Sequence, residues 1–119
     1  MASTRILLSG STNGKPIKVT GTATGSSVTV HTAVTGVEQI DTVYLWASNT
    51  SGTAATITIE WGGTTDPDNL LVKGYSIAAN SGLTLLASGI PLNGGLVIKA
   101  FGGTANSINL HGYCVRMTR

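Results

Sequence analysis

Three kinds of chemically competent side chain are scarce in this 119-residue chain: two histidines (His31, His111), one cysteine (Cys114) and five carboxylates (Glu38, Asp41, Glu60, Asp66, Asp68). Hydroxyls are abundant, so nucleophilic catalysis would need one of them, or Cys114, beside a histidine and an orienting acid. The sequence has no GxSxG turn and no helix to follow one. Both histidines stand at alternating strand positions, where an exposed or interface-packed ring is the expectation. Zinc would need His and Cys at short spacings, which are absent. Asp66-Pro67-Asp68-Asn69 gathers oxygen atoms that calcium could use, but the same residues build a tight reversal, and EF-hand spacing is missing. A glycosidase pair would have to come from the five acids, most of them on turns. Of these only Glu60 has an aromatic neighbour, Trp61, and it reads as the solvent-facing partner of a core tryptophan. No glycine-rich phosphate loop leads into a helix; Gly94-Gly95 and Gly102-Gly103 read as hairpin glycines. Cys114 reads as a small packed strand residue. The expectation is a protein with no enzymatic activity, no cofactor and no metal.

These residues are held by β-structure. The stretch DTVYLWASNTSGTAATITIEWGG, residues 41–63, carries both tryptophans. Val43, Leu45 and Ala47 alternate with Thr42, Tyr44 and Trp46, and Ile57, Ile59 and Trp61 alternate with Thr56, Thr58 and Glu60. That period of two in β-branched and aromatic residues predicts two strands, joined as a hairpin by the polar turn 49–53. Further strands are predicted over 4–9, 16–20, 28–34, 70–77 (with a bulge at Gly74), 83–87, 96–101 and 107–117. No segment of ten residues has a 3.6 period. Eight to nine short strands separated by Gly, Asn and Ser turns predict an all-β, single-domain sandwich over 1–119. A jelly roll comes first and an immunoglobulin-like sandwich is the alternative. Residues 1–14 read either as an extended N-terminal arm or as the first strand.

Charged residues make up 10 % of the chain, against about 25 % in ordinary domains. With 18 Thr and 16 Gly, much of the surface must be hydroxyl and glycine, which leaves little guard against association. An oligomer or larger assembly is expected. The net charge of +2 is too small to point to nucleic acid, and no aromatics interleave with the bases. The charges are segregated: all five acids lie within 38–68, with bases only on either side. Such an arrangement could steer an acidic edge of one subunit to a basic edge of another. A lone cysteine rules out an intrachain disulfide. The N-terminus lacks the pattern of a secretory signal, and no apolar run reaches about 18 residues, so a soluble protein made in a cytoplasm, without membrane contact, is expected.

Three stretches, ASTRILLSGSTNGKPIKV, VYLWASNTSGTAATITIEWGGTTDPDNLLV and SIAANSG with PLNGGLVIKAF, resemble small virion proteins of tailed bacteriophages, in particular the capsid decoration (cement) proteins of HK97-type heads. The resemblance spans nearly the whole chain but carries no signature residues that transfer one by one. It implies a homodimer or homotrimer on the capsid exterior that bridges neighbouring major capsid protein subunits. Arg5, Ile6, Leu7, Leu8, Lys15 and Lys18 are the expected shell contacts, because bases, a strand-prone segment and flexible glycines coincide there. A carbohydrate-binding module with Trp46, Trp61, Tyr75, Asp66 and Asn69 as its platform is the alternative, and a tail or connector component a third reading.

Overall fold

The computed structural model describes residues 3–118. Nine strands follow in order: β1 (Ser3–Leu7), β2 (Ile17–Lys18), β3 (Val28–Thr32), β4 (Gln39–Asn49), β5 (Ala55–Trp61), β6 (Leu70–Ile77), β7 (Thr84–Leu92), β8 (Val97–Gly102) and β9 (Ile108–Thr118). One 3₁₀ turn, Thr24–Ser26, is the sole helical element among the described residues. The chain's β-branched and hydroxyl-rich composition leaves little else to form.

The strands make two antiparallel sheets packed face to face, one ordered β1-β9-β4-β7 and the other β3-β8-β5-β6. Both β1 and β2 pair with β9, Leu7 opposite Tyr113 and Ile17 opposite Leu110. They are therefore one edge strand interrupted by an excursion over residues 8–16. Counting them together leaves eight strands. Of all consecutive pairs, only β5 and β6 are neighbours in a sheet; every other connection crosses between sheets. That is the winding of a jelly roll, whereas an immunoglobulin-like order would keep several consecutive strands side by side. Ser3–Leu7 lies in the sheet as its edge strand.

The predicted hairpin over 41–63 is overturned. β4 belongs to one sheet and β5 to the other, so the link 50–54 is an arch between layers. The reason lies in the two apolar faces. Val43, Leu45 and Ala47 on β4 and Ile57 and Ile59 on β5 are all fully buried. Stacking the strands face to face brings both sets into one core, with Val30, Ile98, Ala100, Ile108, Leu110 and Cys114. The arch is pinned by Asn49, itself fully buried. Its amide donates to the Thr53 and Ile77 carbonyls and accepts from the Ser51 N–H and hydroxyl. Gly74 does mark a bulge: its φ is +57° and the β5–β6 register shifts beside it.

Candidate functional site

Three places gather polar or aromatic groups. The first lies inside the sandwich. His31 on β3 and Asp41 on β4 are 1 % and 0 % exposed, so the expectation of an exposed or interface-packed His31 fails. The excursion after β1 reaches across to β3: the Ser9 N–H donates to His31 Nδ1 at 3.0 Å, and the Gly10 N–H donates to the Val30 carbonyl. The ring proton consequently sits on Nε2, which donates to Asp41 Oδ2 at 2.8 Å. Arg116 on β9 grips both Asp41 oxygens, Nε to Oδ1 at 2.7 Å and Nη2 to Oδ2 at 3.0 Å, and the Val34 N–H adds a further bond. Burial works to raise the Asp41 carboxyl, but the bonds from Arg116, His31 and Val34 and the Arg116 charge outweigh it. They hold the carboxyl below its ordinary value. The same pairing raises Arg116.

Cys114 Sγ lies 3.6 Å from His31 Nε2, which places a cysteine, a histidine and an aspartate together. Their ligand-type atoms all lie within 4.8 Å of one another, a juxtaposition hidden in the sequence because the three residues sit on three strands. The arrangement cannot work as a catalytic relay. A relay needs the nucleophile on one ring nitrogen and the acid on the other. Here thiol and carboxylate share Nε2, and Nδ1 is capped by a backbone N–H. Burial, with the Asp41 charge behind it, pushes the thiol up to about 12 against a partial offset from Arg116. Nor does the donor set fit a metal: a cation would have to displace the hydrogen bonds on Asp41 and ionise that thiol. The cluster is a hydrogen-bonded clasp that ties β3, β4 and β9 to the N-terminal excursion.

The second place is the outer face of the β1-β9-β4-β7 sheet. Cross-strand register aligns Leu7, Tyr113, Tyr44 and Ser88 in one row and His111, Trp46 and Leu85 in the next. Tyr44 and Tyr113 stack at 4.9 Å between centroids, Trp46 stacks on Tyr113 at 6.2 Å, and the Arg5 guanidinium lies 4.6 Å above the Tyr113 ring. The aromatic rings are half-buried, while the flanking Leu7 and Leu85 are 55 % and 52 % exposed.

The third place is on the opposite sheet. Glu60 alternates away from the core on β5, but the expectation that it faces solvent fails: it is 1 % exposed. The segment 22–24, entering the 3₁₀ turn, lies over it, and the Thr24 hydroxyl donates to Glu60 Oε2. The other oxygen, Oε1, is one of two buried side-chain polar atoms without a partner among the described residues. Glu60 lines a cavity of about 440 Å³, together with Thr22, Thr24, Thr58, Thr64, Asp66, Leu70, Lys73 and Phe101. Asp66 and Lys73 form an exposed ion pair at 2.9 Å beside it.

The expected shell contacts divide between inside and outside. Arg5 and Leu7 point outward on β1, and Lys15 and Lys18 are exposed. Leu8, just past β1, is 2 % exposed and so closed to a shell, while Ile6 is half-buried, turned toward the core by the strand's period of two. The expected sugar platform does not form either. Trp46 lies outside one sheet, whereas Trp61 and Tyr75 belong to the other, and Trp61 packs on the core. The acidic edge also dissolves, since Asp41 and Glu60, two of the five acids, are internal. The chain matches no protein-family model, no curated protein and no solved structure.

Proposed function

We propose that this chain is a non-enzymatic structural protein of a tailed-phage virion, which decorates the capsid exterior as a homodimer or homotrimer and bridges neighbouring major capsid protein subunits. The observation that carries the reading is the outer face of the β1-β9-β4-β7 sheet. Two adjacent rows there bring Leu7, Tyr113 and Tyr44 beside Trp46 and Leu85, interrupted only by Ser88 and His111, and the two leucines are more than half exposed. A chain with 10 % charged residues has little else to keep such a face in water. Rigid aromatics with an arginine stacked above them are the side chains that dominate protein interfaces, because they bury much area at small entropic cost. The resemblance noted in the sequence supplies the partner. Repetition over a shell lets modest contacts add through avidity.

The test is co-sedimentation of the purified protein with expanded capsids stripped of it, counting bound copies per major capsid subunit. Saturation at one, or at a simple fraction set by lattice symmetry, is expected. The Leu7→Arg/Leu85→Arg variant should remain folded and bind about tenfold or more weakly. A folded wild-type protein that leaves the capsids bare overturns the reading. Saturation at about a dozen copies per particle would move the same surface to a tail or connector position.

A further inference from the structure

We infer that the cavity around Glu60 is a carbohydrate site that holds one neutral pyranose unit. It lies on the β3-β8-β5-β6 sheet, away from the apolar face assigned to the capsid, and does not depend on that assignment.

The starting point is the carboxylate. A buried carboxylate oxygen without a donor is costly, since the group has lost water and gained nothing in return. Glu60 makes no salt bridge among the described residues, and the Thr24 hydroxyl serves only its other oxygen. The site therefore has an acceptor waiting for a donor. What sort of donor is decided by the walls. Asp66 and Lys73 neutralise each other, and Lys99, which the register places directly opposite Glu60 on β8, offsets the Glu60 charge, so a free ammonium or guanidinium meets no net negative charge there. An anion would meet Glu60 and Asp66. Neither sign is thus favoured, and a neutral ligand remains.

The rest of the lining narrows the class. Thr22 and Thr64 bring hydroxyls that can donate or accept, the Thr24 hydroxyl, already donating to Glu60, can still accept, and the Asp66–Lys73 pair offers an acceptor and a donor side by side. Thr58 is already engaged, its hydroxyl taking the Gly74 N–H at 3.0 Å. Between these polar groups stand Phe101 and Leu70. A few polar anchors set in a mainly apolar lining suit a ring that carries hydroxyls around its edge and C–H groups on its face. At about 440 Å³ the cavity lies within the range of small-molecule sites, about 300–1,000 Å³. A shallower depression of about 260 Å³, lined by glycines, Leu96 and Lys99, shares Thr64 with it.

The experiment is a titration of the full-length, isotopically labelled protein, followed through its backbone amides. The probes are glucose, galactose, mannose and N-acetylglucosamine, with glycerol and arginine as an acyclic polyol and a cation. At least one sugar should move the amides of Thr22, Thr24, Thr58, Glu60, Gly74 and Phe101 along a saturable curve and leave Trp46 and Tyr113 unmoved. Glu60→Gln keeps the shape of the side chain and should weaken that sugar about tenfold or more, the loss of one charge-assisted bond. Thr24→Val, on the exposed turn, is a second variant that should also weaken it. Silence with all four sugars overturns the site. So does equal binding of glycerol, preferential binding of arginine, or a shift pattern centred on Trp46. The wild-type shift map decides the question even if neither variant folds.

Discussion

Asp41 shows what one residue can organise when its neighbours saturate it. Its carboxylate accepts from Arg116 twice, from His31 and from the Val34 N–H, so that a charge buried in a sandwich core is fully compensated. Asp41→Asn removes the charge and leaves Arg116 partly stranded. The expected cost is about 2–3 kcal/mol, below that of a fully buried pair because the Arg116 side chain keeps 31 % of its exposure. The pH dependence has a definite sign. The folded carboxyl titrates below its unfolded value of about 3.9. Its contribution is thus complete above about pH 4 and disappears as pH falls through the folded pKa. Denaturation midpoints followed from pH 7 downward should converge for wild type and Asp41→Asn only in this acid window. A gap between them that stays constant down to pH 2 would show that the carboxylate's charge is not what stabilises the clasp.

At the scale of the strand, the alternation of residues predicted faces well and partners poorly. Val43, Leu45, Ala47, Ile57 and Ile59 are all buried as their period of two requires. That period states which way a side chain points and is silent on which sheet receives the strand. The β4–β5 link was therefore open to misreading, although its five residues contain no Asn-Gly or Asp-Gly pair of the kind that closes a tight hairpin. Glu60 and His31 were missed for a related reason. Burial of Glu60 comes from residues 22–24, far off in sequence, and burial of His31 from its meeting with β4, β9 and the excursion after β1. Neither contact leaves a local signal. Gly112 is a further case: it reads as an ordinary strand glycine, yet a Cβ there would lie 2.0 Å from the Tyr44 carbonyl oxygen on β4. That oxygen belongs to the main chain and cannot swing aside. Gly112→Ala should push β9 from β4 at the centre of the sheet and cost about 1–3 kcal/mol, read as a lowered midpoint in chemical denaturation. Gly52→Ala, at a site with nothing within 4 Å, is the control and should stay close to wild type.

The whole molecule sets two unlike surfaces back to back. One sheet shows stacked aromatics flanked by leucines, and the other carries an open cavity beside the segment 22–24. The jelly-roll winding makes this separation possible, because successive strands mostly alternate between layers and each layer can specialise on its outer side while sharing one core. If the first sheet faces a shell, the second must face away from it, and the orientation can be measured without a high-resolution image of the particle. Hydroxyl-radical labelling of the protein free and bound to capsids should show strong protection of Tyr44, Trp46 and Tyr113, which share one face. Tyr75, 47 % exposed on β6 of the other sheet, should keep its labelling. Protection of Tyr75 with Trp46 left open would reverse the orientation and turn the Glu60 cavity toward the particle. Equal protection of all four residues would mean that the protein is enclosed by its neighbours, and the cavity could not then meet a ligand from solution.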